Sequence, residues 1–342
     1  MAVSLFVLFF LLGSAAGRIP AVIVFGDSTV DPGNNDFLLT PLKANFPPYG
    51  RDFPGNISTG RFCNGRLSTD FLSASLGLPP TVPPYLDPSL PIQLLASGVS
   101  FASAGTGLDP ATSQLLSVIP LMEEVELFRE YKSRLAAHFG AAEAEAIVGE
   151  ALYVVSIGTN DYIVNYFPMA TERSKQFTVG EFGEFLAAGV AEFVAALHAL
   201  GARKIVFVGL APIGCLPLER LTGGGGGCSE EHSAAARGFN DRLEAAVARL
   251  DGELPGLRLR FAPLYNFVSD VIQNPQSYGF ENAEQGCCGT GELEVSFLCN
   301  KWTPYTCPDA NRYAFFDSVH PSEKLNGLLS DYLLKTTLAE FI

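Results

Sequence analysis

The sequence predicts an α/β doubly wound fold in a single domain, and three observations carry that expectation. Apolar runs of strand length recur along the chain, amphipathic helical patterns lie between them, and no long linker or fixed-period repeat divides it. Runs apolar on both faces suit central strands of a parallel sheet covered on both sides, and strands alternating with helices give the doubly wound arrangement. With 342 residues, 48% of them hydrophobic, the chain lies far from the disordered class. A chain of this length buries roughly three quarters of the surface its unfolded form exposes, so its core needs no staples. Against 22 basic side chains stand 36 acidic ones, a formal net charge of −14. That balance excludes nucleic acid as a partner, because its phosphates require Lys and Arg, and disfavours an anionic membrane surface.

Taken in order, residues 2–12 form an unbroken apolar run followed by small residues up to Gly17. The run falls short of the roughly 20 apolar residues that cross a bilayer, so stable membrane insertion is not expected. A short apolar core ahead of small residues predicts a secretory signal peptide over 1–17, with one domain over 18–342. Asn56-Ile57-Ser58 is a glycosylation sequon in a Pro/Gly-rich stretch, consistent with export. No retention tetrapeptide ends the chain, so passage through the endoplasmic reticulum to the cell exterior is expected.

Residues 21–25 read as the first strand, stopped by Gly26, and further strands are expected at 151–157, 204–210 and, more weakly, 257–261. Amphipathic helices are predicted over 121–139, 178–200 and 229–250. Residues 31–66 and 79–91 are dense in Pro, Gly and Asn and read as insertions lining the crevice at the strand carboxyl ends. Phe37, Phe46, Tyr49 and Phe53 there suit an apolar, amphiphilic substrate. The Gly-rich run at 223–227 is a flexible loop, not a phosphate loop, since no Gly-Lys-Ser/Thr follows. His138, His198 and His232 fall in helical patterns and read as structural, and the Glu residues within 123–130 and 143–150 read as solvated helix faces.

The chemistry gathers in four places. The first strand ends in Gly26-Asp27-Ser28, which puts a serine at the carboxyl edge of the sheet; alone, this is equally a helix N-cap. Near the other end, a short strand at 313–316 runs into Asp317-Ser318-Val319-His320-Pro321, with a carboxylate and an imidazole on one turn. Pro321 suits the first position of the last helix and Glu323 a capping partner at the third. Ser156-Ile157-Gly158-Thr159-Asn160-Asp161 follows another strand and offers the Asn160 amide. The stretch 98–107 offers glycine N–H groups free of a Cβ. Together these supply a nucleophile, a base with its carboxylate, and donors for an oxyanion: the Ser28 N–H, a glycine N–H and Asn160.

These four blocks, in this order and spanning nearly the whole mature chain, resemble the signature blocks of the SGNH, or GDSL, hydrolase superfamily. Val24-Phe25-Gly26-Asp27-Ser28-Thr29-Val30-Asp31-Pro32-Gly33-Asn34-Asn35 and Cys287-Cys288-Gly289-Thr290-Gly291 are similar to the plant GDSL esterase/lipase branch. The resemblance implies a three-layer α/β/α, flavodoxin-like fold with a mostly parallel central sheet. It also implies a serine esterase or lipase with catalytic Ser28, His320 and Asp317, and an oxyanion hole of Ser28, Asn160 and a block-two glycine, Gly107 being favoured over Gly105. The expected substrate is a small-molecule or lipid ester, with no metal or organic cofactor. An acyltransferase using the same triad, and a secreted binding protein that keeps the fold without catalysis, are the alternatives.

Seven cysteines in an exported chain divide into three disulfides and one thiol. Cys215 and Cys228 flank the Gly-rich loop and are expected to pair across it. Cys287, Cys288, Cys299 and Cys307 make two more bonds in an undetermined order, leaving Cys63 free.

Overall fold

The structure, a computed structural model, describes residues 19–168, 171–223 and 225–342, so the expected leader at 1–17 lies outside the described residues. The chain opens with β1 (Val22–Gly26), then runs through α1 (Ser68–Ser75) and α2 (Ile92–Leu95) to β2 (Gly98–Ser100). Three helices, α3 (Pro110–Leu116), α4 (Leu121–Phe139) and α5 (Ala141–Glu150), lead to β3 (Leu152–Ser156). After α6 (Arg173–Gln176) and α7 (Val179–Leu200) come β4 (Lys204–Val208), α8 (Pro217–Thr222), α9 (Glu230–Glu253) and β5 (Arg258–Ala262). The chain closes with α10 (Leu264–Gln273), β6 (Asn282–Gly286), β7 (Tyr313–Phe315) and α11 (Glu323–Lys335).

The five strands β2-β1-β3-β4-β5 form one parallel sheet, and β6 and β7 pair parallel in a small second sheet. The helices cover both faces of the large sheet. Paired residues share a face, and Phe25 packs edge-on against Phe128 of α4 and Phe193 of α7. Residues of opposite parity, Val154 and Val208 among them, face α1, α10 and α11. Such double coverage is why β1, β3 and β4 read as continuous apolar runs.

Local chemistry sets the helix ends. Thr178 caps α7 in a reciprocal box with Glu181, and the Ser229 hydroxyl accepts from the third residue of α9. The last helix begins later than the sequence suggests. Pro321 lies ahead of the helix and not at its first position, and Ser322 is the cap, accepting from the Leu325 N–H. Glu323 then falls at the first helical position and binds Arg66 instead of capping. One helix among the described residues, α7, is long and apolar enough to cross a bilayer, and here it packs against α9 with Phe182, Val190, Phe193 and Leu197 buried.

The Pro/Gly-rich insertion is pinned by a buried fork. Arg61 Nε and Nη2 donate to the two oxygens of Asp70, each at 2.8 Å, and Nη2 also reaches the Val82 carbonyl. Asp70 further accepts the backbone N–H groups of Leu67 and Val82. Arg61→Ala would strand this carboxylate in the interior, which typically costs about 3–5 kcal/mol. Urea unfolding should register that loss; a change below about 1 kcal/mol would show that water or a neighbour replaces the guanidinium.

Candidate active site

A sheet ordered 2-1-3-4-5 reverses direction between its first and third strands, and the gap beyond their carboxyl ends is a natural binding crevice. Ser28 follows β1 there and Asn160 follows β3. The close approach of β1 to β3 depends on Gly26, whose φ is +133° and where a Cβ would stand 1.9 Å from the Ser156 carbonyl oxygen. Beyond it, the Asp27 carboxylate accepts from the Thr29 N–H and hydroxyl, which tightens the turn carrying Ser28.

The other partners arrive from the far end of the chain. The His320 Nε2 lies 2.7 Å from Ser28 Oγ, and its Nδ1 lies 2.8 Å from each Asp317 oxygen. Asp317 is saturated: Oδ1 also accepts the N–H groups of Val319 and His320, and Oδ2 accepts the Tyr49 hydroxyl at 2.7 Å. Phe62 packs against the imidazole with 4.9 Å between ring centres. Ser28, His320 and Asp317 are all buried, so water competes little with these bonds.

A pocket of about 130 Å³ opens over Ser28, bounded by Gly105, Asn160, Phe62 and His320 among others. Neither the Ser28 N–H nor the Gly105 N–H has an acceptor among the described residues. Asn160 spends one amide hydrogen on the Thr106 carbonyl at 3.0 Å and keeps the other. Here the structure corrects the sequence reading. Gly107 does not line the pocket; its N–H is directed to Ser113 Oγ, and it packs against Asp161 and Thr112. Gly105, held at φ +93°, is the block-two glycine at the pocket. Nothing in the spacing separates two glycines two apart; only the backbone angle does.

Buried carboxyls brace the site from below. Glu124, expected on a solvated face, is fully buried and accepts the Gly26 N–H at 2.9 Å. Burial, aided by Asp31 and Asp27 nearby, pushes its carboxyl well above the usual range. Asp161, next to Asn160, accepts from Leu108 N, Asp109 N and Thr112 Oγ1. Burial lifts Asp161 to about 7 against these bonds, and Asp31 to about 6. A carboxyl whose pKa is higher folded than unfolded binds the extra proton only in the folded state, so stability falls as pH rises through that window. For Asp161 the window runs from the ordinary aspartate value of 3.8 to about 7. The melting temperature should therefore be higher near pH 5 than near pH 8, and Asp161→Asn should flatten the slope. A melting temperature that climbs steadily from pH 5 to 8 would contradict this.

The cysteines resolve as Cys215–Cys228, Cys287–Cys307 and Cys288–Cys299. The paired segment is knitted to the strand before Asp317, since the N–H groups of Cys287 and Cys288 donate to the Phe315 and Phe316 carbonyls. Cys63 is free and buried, its thiol pushed up to about 12 by burial. Of the remaining histidines, His138 is exposed and His198 half-buried. His232 is buried instead, paired with Glu219 and stacked on Phe167. No group of three or more His, Cys, Asp or Glu side chains placed to hold a metal ion occurs among the described residues. Asn56 is exposed on a left-handed turn. Tyr49, expected among the aromatics that suit the substrate, is instead buried and holds Asp317 from 268 residues away, a role not visible in the sequence because a lone tyrosine in a loop carries no partner signal.

A parallel sheet with hydroxyl, imidazole and carboxylate aligned at its switch point has the build of a hydrolase. Comparison with known proteins gives the family. A model of the GDSL-like lipase/acylhydrolase family matches residues 22–333. The GDSL esterase/lipases At2g42990 and At4g26790 of Arabidopsis thaliana are each 49% identical to the chain, over 95% of it and 93% of their own length. A third from the same plant, GDSL esterase/lipase At2g04570, is 46% identical over 99% of both chains. The chain belongs to the GDSL-like lipase/acylhydrolase family of hydrolases.

Proposed function

We propose that this protein is a secreted serine ester hydrolase that cleaves carboxylic esters of acyl compounds through an acyl-enzyme on Ser28. The observation that carries this reading is the continuous relay from Ser28 Oγ through His320 to Asp317 at 2.7 and 2.8 Å. His320 Nε2 takes the hydroxyl proton as Ser28 attacks the ester carbonyl, and the imidazolium formed is held by Asp317. The carbonyl oxygen, now an anion, meets the two unengaged N–H groups of Ser28 and Gly105 and the spare amide hydrogen of Asn160. Such donors typically contribute about 3–4 kcal/mol each to the transition state. His320 returns the proton to the leaving alcohol, and water repeats the sequence on the acyl-enzyme.

The three disulfides support passage through an oxidising compartment, in keeping with a leader over 1–17, a domain over 18–342 and a glycan on Asn56. A fluorophosphonate probe tests the site directly. Peptide mapping should find the label on Ser28 alone; absence of labelling, or label on another serine, would overturn the assignment.

A further inference from the structure

Behind the nucleophile turn lies a second cavity that the relay does not use. An apolar chamber of about 110 Å³ sits between the β3 and β4 edge of the sheet and the layer of α1, α10 and α11. Leu325, Leu329 and Leu333, successive turns of α11, form one wall, and Leu72 of α1 and Val268 of α10 close two others. All five are buried. Native cores are filled to crystal-like density, and an apolar void of this size is costly to leave empty. It is of the order of the engineered apolar cavities, about 150 Å³, that stay dry and take up hydrocarbon.

Its partly exposed lining residues mark where it opens. Thr29, Ser68, Ser156, Thr159, Ala211, Val319 and Pro321 are only partly buried, and four of them, Thr29, Thr159, Val319 and Pro321, are the chain neighbours of Ser28, Asn160 and His320. Val319 borders both this chamber and the pocket over Ser28, so the two spaces adjoin at one side chain. The polar groups at this end are spent on one another: Thr29 Oγ1 bonds Ser156 Oγ at 2.9 Å and donates to Asp27. Apart from Ser68, Thr69, Thr159 and Asn326, the other side chains facing the chamber are apolar.

We propose that this chamber receives the acyl chain of the substrate, which passes Val319 while its carbonyl sits over Ser28. The proposal rests on the ester hydrolase reading and adds to it a substrate class: esters of medium-length, unbranched acyl groups. It also moves the acyl site away from the Pro/Gly-rich insertions, where the aromatic residues of the sequence had suggested it, to the interior face of α11.

The test compares p-nitrophenyl acetate with p-nitrophenyl octanoate, and measures binding of 1-decanol, an alkyl probe with no ester to cleave, by calorimetry. Each buried methylene is worth about fourfold in affinity. The wild type should therefore favour octanoate by at least about 30-fold in kcat/KM and take up one decanol. Leu329→Trp, which fills the chamber from α11, should cut the octanoate-to-acetate ratio at least about tenfold and weaken decanol binding in step. Val268→Phe, filling it from the opposite wall, should do the same. Should both variants unfold, stoichiometric decanol binding to the wild type, competitive with octanoate hydrolysis, still decides. A wild type that hydrolyses acetate and octanoate equally, or folded variants that keep the wild-type ratio and decanol affinity, would overturn the chamber and leave the hydrolase reading intact. Decanol uptake by a wild type inert toward every ester would instead uphold the chamber and sink the hydrolase reading.

Discussion

Ser28→Ala is expected to lower kcat for p-nitrophenyl acetate at least about 10⁴-fold, the usual scale when the nucleophile of such a relay is removed. The loss is confined to chemistry. Ser28 is a small side chain at the edge of the pocket, its hydroxyl bonded to His320 and to no structural group. The Gly26 backbone bonds and the Asp27 to Thr29 turn remain in place without it. Unfolding free energy should stay within about 1 kcal/mol of wild type, as expected for a substitution that opens no core cavity. Equal rates for the two proteins would remove Ser28 from the mechanism; a large loss of stability would mean that the hydroxyl holds the turn.

Asp317→Asn should cost about as much, roughly 10³ to 10⁴ in kcat, for a different reason. The carboxylate can only accept, so it fixes the Nδ1–H form of His320 and leaves Nε2 free to take the Ser28 proton. An asparagine that keeps its carbonyl toward the Val319 and His320 N–H groups turns its NH₂ toward Nδ1. That donor selects the opposite tautomer, with the proton on Nε2, and the imidazole no longer accepts from Ser28. Substrate affinity should change little, so the effect appears in kcat and not in KM. A drop smaller than tenfold would show that His320 is oriented by its packing on Phe62 and not by the carboxylate.

How much of this was legible beforehand depends on the length over which a pattern repeats. Helix α4 occupies the 121–139 span read from its periodicity, because Pro120 and Gly140 punctuate a long amphipathic stripe. Strands β1, β3 and β4 were visible as apolar runs. Strand β2 was not: three residues of Gly-Val-Ser carry no period, and the stretch reads as a glycine turn. The chemical blocks were visible because each follows a strand, whereas their internal geometry was not. Gly105 and Gly107 differ only in the backbone angle and in what lies around them. Glu124 reads as one more acid on a polar helix face, yet a first-turn position of α4 faces the β1 terminus. Arg61 and Asp70, nine residues apart across a loop, show no helical or strand spacing to betray their fork. Long-range partners such as Tyr49 and Asp317 are products of the finished topology.

Ser28 and His320 are separated by 292 positions. The hydroxyl is among the early parts of the domain to be synthesised, and the imidazole that activates it among the late ones. Closing so wide a loop is not itself prohibitive, since each doubling of length costs only about 0.6 kcal/mol. The consequence is one of timing. A growing or truncated chain carries a serine without a base and is chemically inert toward acyl groups around it. Reactivity arrives with the last strand and helix, so recovery of turnover during refolding should trail recovery of the central sheet and serve as a clock for completion of the fold.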